Sequence, residues 1–355
     1  MEDVLPPPAR VRPFVVYTSR MPRRFALILC LFSLMAATAR AQAPSSPAPG
    51  ARWFKGNTHA HTLNSDGDSA PDAVARWYRE ARYHFLVVTD HNFVTPVTGL
   101  NDLLGAEDRF LVISGEEITD RAGNKPVHVN ALGATKLIEP RGGSRPGEAA
   151  GRDVEAARAA GSVSQINHPN FGWALTAADL MEVDSPQLLE IFNGHPAVNN
   201  LGGGDAAGAE ALWDELLTAG RVVYGVASDD PHELKRPGHP QAAGPGRGWV
   251  MVRADRLSAD RILAALARGD FYSSTGVELA DWQATPRGVS VKVKEQGSTR
   301  YRVQFIGKGG RLLRQDDGAA ADYGFTGSEG YVRVKITDSN GLTAWTQPAF
   351  VPVGK

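Results

Sequence analysis

The chain alternates short apolar runs with amphipathic stretches from about residue 53 to residue 268. Seven runs rich in β-branched and aromatic residues predict strands, at 53–58, 85–89, 110–114, 127–132, 162–167, 188–192 and 222–227. Apolar residues at helical spacing predict helices between them, around Val74, Trp77, Tyr78 and Ala81, and at 152–160 and 209–219. This alternation predicts an α/β fold with a mainly parallel sheet.

The pattern changes after about residue 235. A possible eighth strand at 249–252 and a helix at 258–268 are followed by strand patterns alone. Turn residues separate these last runs, which lie at 289–293, 301–306, 312–315, 331–337 and 344–351. We therefore predict a small all-β sandwich over residues 277–355.

The first 43 residues have the plan of a secretory signal peptide. Arginines at 23–24 precede an apolar run at 25–37, and A-Q-A at 41–43 has the form of a cleavage site. Residues 1–20 are unusual before such a signal, which favours Met21 as the start. The apolar run is short for a membrane-spanning helix. We expect a periplasmic or secreted protein with no stable membrane anchor after cleavage, and a linker at 44–51.

Composition narrows the classes of function. A chain of 355 residues with 42% hydrophobic residues can bury a sizeable core. Its net charge of −1 does not indicate binding to nucleic acid, which favours basic proteins. The one cysteine, Cys30, lies in the apolar run, so disulfides and thiolate metal ligands are not expected after cleavage. A small-molecule substrate is the expected partner, and the oligomeric state stays open.

Histidines and carboxylates lie near the ends of the predicted strands. His59 and His61 follow the first strand, and in an extended segment this spacing places both rings on one face. That pair alone is weak, since two exposed loop histidines would give the same pattern. The same residue types recur at Asp66, His91, Glu117, His128, His168, Asp230 and His232. Because barrels of the β/α kind build active sites at this edge, the pattern favours a closed or nearly closed barrel over an open doubly wound sheet.

In order and local sequence these nine residues resemble the metal motif of the PHP (polymerase and histidinol phosphatase) superfamily of metallohydrolases. The matching segments are H-A-H at 59–61, S-D-G at 65–67, T-D-H at 89–91, G-E-E-I at 115–118, His128, N-H-P at 167–169 and D-P-H at 230–232. The resemblance covers about residues 52–235. It implies a distorted (β/α)7 TIM-like barrel, which we assign to residues 52–276. Two further segments, 269–276 and 331–333, resemble a secreted branch that includes carbamate hydrolases and has a β-rich C-terminal extension.

The resemblance also implies two or three divalent metal ions at neighbouring sites. The first would be held by His59, His61, Glu117 and Asp230, which would be the catalytic set. Glu117 would bridge to a second ion held by His128 and His168, and the third would be held by Asp66, His91 and His232. Imidazole and carboxylate ligands suit Mn, Zn or Fe without choosing among them. Such ions would lower the pKa of a shared water.

Other residues near these positions have more than one interpretation. Glu116 and Asp229 are alternatives to their neighbours Glu117 and Asp230, but the motif spacing favours the latter two. Asp90 and Glu190 are predicted to support ligands from outside the metal centre. Arg247 is interpreted either as a clamp for an anionic substrate or as a solvated loop arginine. The remaining histidines have structural interpretations, at His84, His195 and His239.

The predicted function is that of a secreted metal-dependent hydrolase. Phosphoesters (EC 3.1) are the favoured substrates, because the resembled superfamily mostly cleaves them. Hydrolysis of a carbamate, ester or amide is the alternative, since few basic residues accompany the apolar residues Phe93, Phe171, Trp173 and Phe192. A non-enzyme alternative is a carbohydrate- or polymer-binding protein with a relic barrel, although no metal ligand of the motif is missing.

Overall fold

The structure is a computed structural model that describes residues 50–351. Its strands and helices, in chain order, are β1 (Arg52–Asn57), α1 (Pro71–Glu80), β2 (Phe85–Val88), α2 (Thr98–Leu104), β3 (Leu111–Ala122), β4 (Lys125–Leu132), α3 (Pro146–Ala159), β5 (Val163–Ile166), α4 (Ala177–Glu182), β6 (Leu188–Asn193), α5 (Ala209–Thr218), β7 (Tyr224–Ser228), β8 (Trp249–Ala254), α6 (Ala259–Arg268), β9 (Phe271–Ser274), β10 (Leu279–Thr285), β11 (Gly288–Val293), β12 (Tyr301–Gly307), β13 (Arg311–Asp317), β14 (Ala320–Gly324), β15 (Tyr331–Asp338), β16 (Thr343–Thr346) and β17 (Ala349–Phe350). The predicted signal peptide, Met21 and Cys30 lie outside the described residues.

All seven strands predicted in the first half are present, and the largest difference is the length of β3. It extends to Ala122, far beyond the apolar run, because its polar second half pairs with β4 along their whole length. Gly123 reverses the chain between them with φ of 61°, a conformation that suits glycine. β3 and β4 are therefore an antiparallel hairpin without the intervening helix that a β/α barrel requires.

One mixed sheet runs through the described residues. Its strand order is β13-β12-β15-β16-β9-β8-β1-β2-β3-β4-β5-β6-β7, and β17 pairs with β15. The parallel pairs are β1–β2, β2–β3, β5–β6 and β6–β7, and the other pairs are antiparallel. The α/β class is confirmed, whereas the mainly parallel sheet applies only to these four pairs.

The predicted closure into a TIM-like barrel is not confirmed, because within residues 50–351 β7 has no strand on its outer edge. Side chains take the place of a strand there. The Ser273 hydroxyl donates to Gly225 O and accepts from Ala227 N, and the Gln347 amide bonds both backbone groups of Gly225. These contacts satisfy the backbone groups that a closing strand would otherwise pair. The sheet therefore stays open at β7.

The C-terminal strands contribute to two sheets. β16 pairs with β9, so β15, β12 and β13 continue the large sheet, while β10, β11 and β14 form a separate three-stranded sheet. Side chains of both sheets lie in one hydrophobic cluster, with Trp282 and Val291 from the small sheet and Val303, Phe305 and Ile336 from the large one. The two sheets thus pack face to face, as in a sandwich. The predicted domain boundary between residues 276 and 277 stays a prediction.

Helix α6 illustrates how the helices cover the sheet. Its buried residues Ile262, Ala265 and Leu266 recur at helical spacing, and Gly269, with φ of 77°, ends it in the left-handed conformation. Among residues 50–351, no helix combines the length and the apolar character that crossing a membrane requires.

Candidate metal centre

All nine predicted ligand side chains meet in one place. They come from the segments that follow β1, β2, β5 and β7, together with Glu117 on β3 and His128 on β4. Their donor atoms form four overlapping groups, and the atoms of each group all lie within 4.8 Å of one another. A pocket of about 270 Å³ opens onto this cluster. Residues far apart in the sequence are therefore positioned for shared chemistry.

The residues of the predicted first metal site, His59, His61, Glu117 and Asp230, are the most deeply buried and are called the first group below. The Nε2 atoms of His59 and His61 are 3.1 Å apart, and both face Glu117 Oε2 and Asp230 Oδ1 at distances from 3.0 to 3.3 Å. The side chains of His59, His61 and Glu117 have no exposed surface. Each of the two imidazole nitrogens therefore lies close to both carboxylates.

The donor spacing fits a metal ion. In a tetrahedral site with ligand bonds of about 2.0 Å, neighbouring donor atoms are separated by about 3.3 Å. Glu117 Oε2 and Asp230 Oδ1, which face both imidazoles, are buried without a hydrogen bond, and so is His128 Nδ1 beside Glu117 Oε1. Buried polar atoms are costly unless something satisfies them. A cation bound among these atoms would do so.

The second group, of Glu117, His128 and His168, and the third group, of Asp66, His91 and His232, both adjoin the first. Glu117 Oε1 is 3.1 Å from His128 Nδ1 and 3.4 Å from His168 Nε2, so this carboxylate faces two groups at once. Asp66 Oδ2 is 3.3 Å from His232 Nε2 and 3.4 Å from His91 Nε2. Asp66 is 52% exposed, whereas the first group is closed to solvent. The third group would therefore hold an ion at the solvent-facing side.

The charges of the cluster call for a cation. Burial opposes a charged imidazole, yet Asp230 and Glu117 raise the pKa of His61 to about 9. Burial likewise opposes a charged carboxylate, yet the facing histidines hold the pKa of Glu117 well below its ordinary value. The carboxylates thus favour positive charge nearby, which protons or a divalent cation can supply. Metal binding would displace the protons from the imidazoles.

Two of the ligand candidates have unusual backbone conformations. His168 has φ of 22° and Asp230 has φ of 50°, in the left-handed region that non-glycine residues rarely occupy. Their amides are held in place, since His168 N donates to Glu190 Oε2 and Asp230 N donates to His59 O. Such conformations persist where the surroundings fix them, and they concentrate at functional sites.

Glu190 lies where a supporting residue is needed. Its Oε1 atom accepts from His59 Nδ1 at 2.8 Å, which leaves the His59 Nε2 lone pair facing the first group. Side-chain donors from Ser228, Gln165 and Asn193 bond the same carboxylate. The predicted supporting role of Glu190 therefore agrees with its contacts.

The carboxylate of Asp90 has different hydrogen-bond partners from the one predicted. Its carboxylate accepts from Thr62 N, and from the hydroxyls of Thr62, Ser65 and Thr95, rather than from a ligand imidazole. These bonds fix the turn between His61 and Asp66. Asp90 thus acts on the ligands through the backbone of that turn.

The two alternative carboxylates point away from the cluster. Glu116 accepts from Ile138 N on the other side of β3, as alternation along a strand requires. Asp229 accepts from Tyr78 and from the amides of 246–248, so it anchors that loop. Glu117 and Asp230 are the residues that face the metal-binding groups.

Arg247 does not line the pocket, which contradicts its predicted role as a clamp for the substrate. Its guanidinium donates to the carbonyl oxygens of Gly194, His239 and Pro240. A side chain so bonded cross-links two loops, and its charge is directed at backbone oxygens. The solvated-loop interpretation is also incomplete, because these bonds give Arg247 a structural role.

His195 lines the pocket, although its position in the sequence, before a proline in a predicted loop, favoured a structural role. It lies two residues beyond the end of β6, and the position just after a strand was the signal that identified the other site histidines. Phe171 and Val198 also line the pocket. Among residues 50–351, no lysine or arginine does so.

Replacing Glu190 with glutamine is expected to weaken metal binding by about 10- to 100-fold, because the carboxylate that orients His59 is lost. Isothermal titration of the metal-free protein with Mn or Zn measures this effect. Glu182→Gln is the matched control, since that carboxylate lies on α4 and pairs with Arg145 at the surface. Equal affinities in the two variants would show that Glu190 does not support the ligand.

Comparison with known proteins gives structural similarities only. No family model matches the chain, and no curated protein matches it. It is similar to a two-domain protein from Bacteroides vulgatus that contains a predicted PHP-like metal-dependent phosphoesterase, with 17% identity, a TM-score of 0.47, and coverage of 83% of this chain and 93% of that one. A protein from Bifidobacterium adolescentis, provisionally named a metal-dependent phosphoesterase, gives 17% identity and a TM-score of 0.38 over 55% of this chain and 92% of that one. An amidohydrolase from Chromobacterium violaceum, with bound sulfate and no metal, gives 15% identity and a TM-score of 0.37 over 61% of this chain and 96% of that one.

At these TM-scores and identities, the three similarities do not assign this chain to a family. The chain resembles the PHP superfamily of metallohydrolases in the order and convergence of its metal-binding residue types. The structure thus brings together the residues on which the predicted resemblance depends. The resemblance to the secreted carbamate-hydrolase branch stays a prediction.

Proposed function

We propose that this protein is a metal-dependent hydrolase and that its substrates are phosphoesters. The observation that carries the proposal is the closed first group, in which two imidazoles and two carboxylates meet at 3.0 to 3.3 Å with buried, unpartnered oxygens. Bound divalent ions would supply Lewis acidity and lower the pKa of water at this site. The sequence resemblance to a superfamily that mostly cleaves phosphoesters supports this choice of substrate.

Some residues of the cluster would hold the metal ions, and others would give the substrate access to them. Glu190 keeps His59 in the tautomer whose Nε2 lone pair faces the first group. Glu117 faces the first group with one oxygen and the second with the other, so one side chain couples two sites. The exposed side, at Asp66, His91 and His232, gives a substrate access to the cluster.

A carbamate or another uncharged ester is the second candidate substrate. The lining combines Phe171 and Val198 with the ligand residues, and among residues 50–351 it includes no lysine or arginine. Lys125, which lies on β4 with the ligand candidate His128, donates to the carbonyl oxygens of Gly172 and Trp173. A phosphate would therefore depend on bound metal for its positive partners, whereas an uncharged ester needs fewer of them.

A substrate panel separates the two candidates. Protein reconstituted with Mn or Zn is assayed on 4-nitrophenyl phosphomonoester, phosphodiester, carbamate and carboxylic ester, with Asp230→Asn as the background control. Turnover of a phosphoester well above that control is expected. Turnover of the carbamate or carboxylic ester alone would reject the phosphoester assignment. If metal-loaded protein cleaves none of the four, the hydrolase proposal is wrong for these substrate classes.

A further inference from the structure

His195 is the one histidine of the pocket lining that lies outside the four groups of donor atoms. Its backbone amide donates to Asn193 Oδ1 at 2.8 Å, and its ring centroid is 5.1 Å from that of His232. The residue is half-buried and lines the pocket together with several of the ligand candidates. It is thus close to the metal centre without belonging to it.

The hydrogen bonds of the ring define which nitrogen carries a hydrogen. Ala197 N donates to His195 Nδ1 at 3.1 Å, so Nδ1 is an acceptor and the hydrogen of the neutral ring lies on Nε2. Nε2 also carries a hydrogen in the charged ring. Among residues 50–351, no group accepts a hydrogen bond from Nε2. Nε2 is therefore an unused donor, on a residue that lines the pocket, in either protonation state.

The loop that carries His195 is held rigidly. Asn200 bonds both backbone groups of Asn193, and Gly194 N donates to Ser228 O. Arg247 Nη1 donates to Gly194 O at 2.9 Å, and a Cβ on Gly194 would lie 2.8 Å from Asp229 O. A donor fixed in this way loses little conformational entropy when a ligand binds. Arg247, which does not line the pocket itself, helps to position this loop.

We propose that His195 is a substrate-contacting residue, whose Nε2–H donates a hydrogen bond to an oxygen of the substrate bound at the metal centre. The expected effect on turnover rests on the proposed function. The expected effect on binding does not, because an oxyanion bound at the metal centre would accept the same hydrogen bond without any reaction. Both candidate substrate classes carry such an oxygen, on phosphorus or on a carbonyl group. Phe171 and Val198 would flank the part of the substrate beyond this oxygen.

Three substitutions at position 195 test the contact. Glutamine places an amide N–H close to the position of the histidine Nε2, whereas asparagine reaches only the position of Nδ1, and phenylalanine keeps the ring without a donor. We expect His195→Gln to retain kcat/KM within about threefold, and His195→Asn and His195→Phe to lose about tenfold, the scale of one hydrogen bond. His239→Phe, an exposed loop histidine, is the matched control and should match the wild type.

Metal content and binding of inorganic phosphate are measured for the same proteins. We expect all of them to bind the same amount of Mn, and the Asn and Phe variants to bind phosphate about tenfold more weakly. A fall in metal content in His195→Phe would make His195 a ligand and overturn the proposal, as would Asn and Phe variants equal to the wild type. If the wild type cleaves none of the four esters, the proposed function fails, while the phosphate titration still decides whether His195 contacts a bound oxyanion.

Discussion

Asp230→Asn is expected to remove most of the bound metal and to lower kcat by more than about 100-fold. Losing a partner that only supports a ligand costs up to about 100-fold, and losing a ligand itself should cost more. Asp230 Oδ1 lies 3.0 Å from His61 Nε2 and 3.2 Å from His59 Nε2, at the centre of the first group. An amide in its place removes a negative charge and can turn an N–H toward the cation. Elemental analysis after reconstitution with Mn or Zn, followed by the ester assays, measures both effects.

The same substitution far from the cluster is the control for this prediction. Asp322 is exposed on β14, so Asp322→Asn should keep the metal content, the activity and the melting temperature of the wild type. His59→Ala should behave like Asp230→Asn, because it removes another donor of the same group. Wild-type metal content in both cluster variants would mean that the first group does not hold the ion.

The side chains that converge at the cluster could be identified from the sequence because their signals are local. His59 and His61 follow a recognisable apolar run. The motif spacing favours Glu117 over Glu116, and the two side chains point opposite ways along β3. Each such element fixes where its own residues point. The convergence of distant segments then follows from the edge of the sheet at which parallel strands end.

The closure of the sheet could not be predicted in the same way. It depends on whether β7 finds a strand, and its backbone groups instead bond Ser273 and Gln347, which lie 48 and 122 residues from Gly225 in the chain. No local pattern distinguishes a strand edge paired by a strand from one paired by side chains. The hairpin of β3 and β4 was missed for a related reason, since the second half of β3 is too polar to stand out.

The roles of Arg247 and His195 show the limit at the site itself. Both were assessed by residue type, and a basic residue near a metal motif suggested an anion clamp. The position of Arg247 depends on the loop carbonyl oxygens that its guanidinium reaches. The orientation of the His195 ring depends on the hydrogen bond from Ala197 N. Such contacts depend on loop conformations, which a sequence pattern does not define.

A buried ion pair joins helix α5 to the C-terminal strands. Arg333 on β15 has a side chain only 1% exposed, and its Nε and Nη2 atoms donate to Asp214 on α5 at 2.8 and 2.6 Å. Tyr331 donates its hydroxyl to Asp214, and Glu210 lies 2.9 Å from Arg333 Nη2. Asp214 thus neutralises a guanidinium that is removed from water.

Asp214→Ala is expected to lower the free energy of unfolding by about 3–5 kcal/mol, because it leaves Arg333 buried without its main partner. Urea denaturation of the metal-free protein measures this change apart from any effect of metal. Asp317→Ala is the matched control: that carboxylate is 78% exposed beside Arg302, and its removal should cost less than about 1 kcal/mol. The double variant Asp214→Leu, Arg333→Met should recover much of the loss, since replacing a buried pair by apolar residues is often neutral. A loss in Asp214→Ala no larger than in the control would mean that Glu210 alone balances the charge of Arg333.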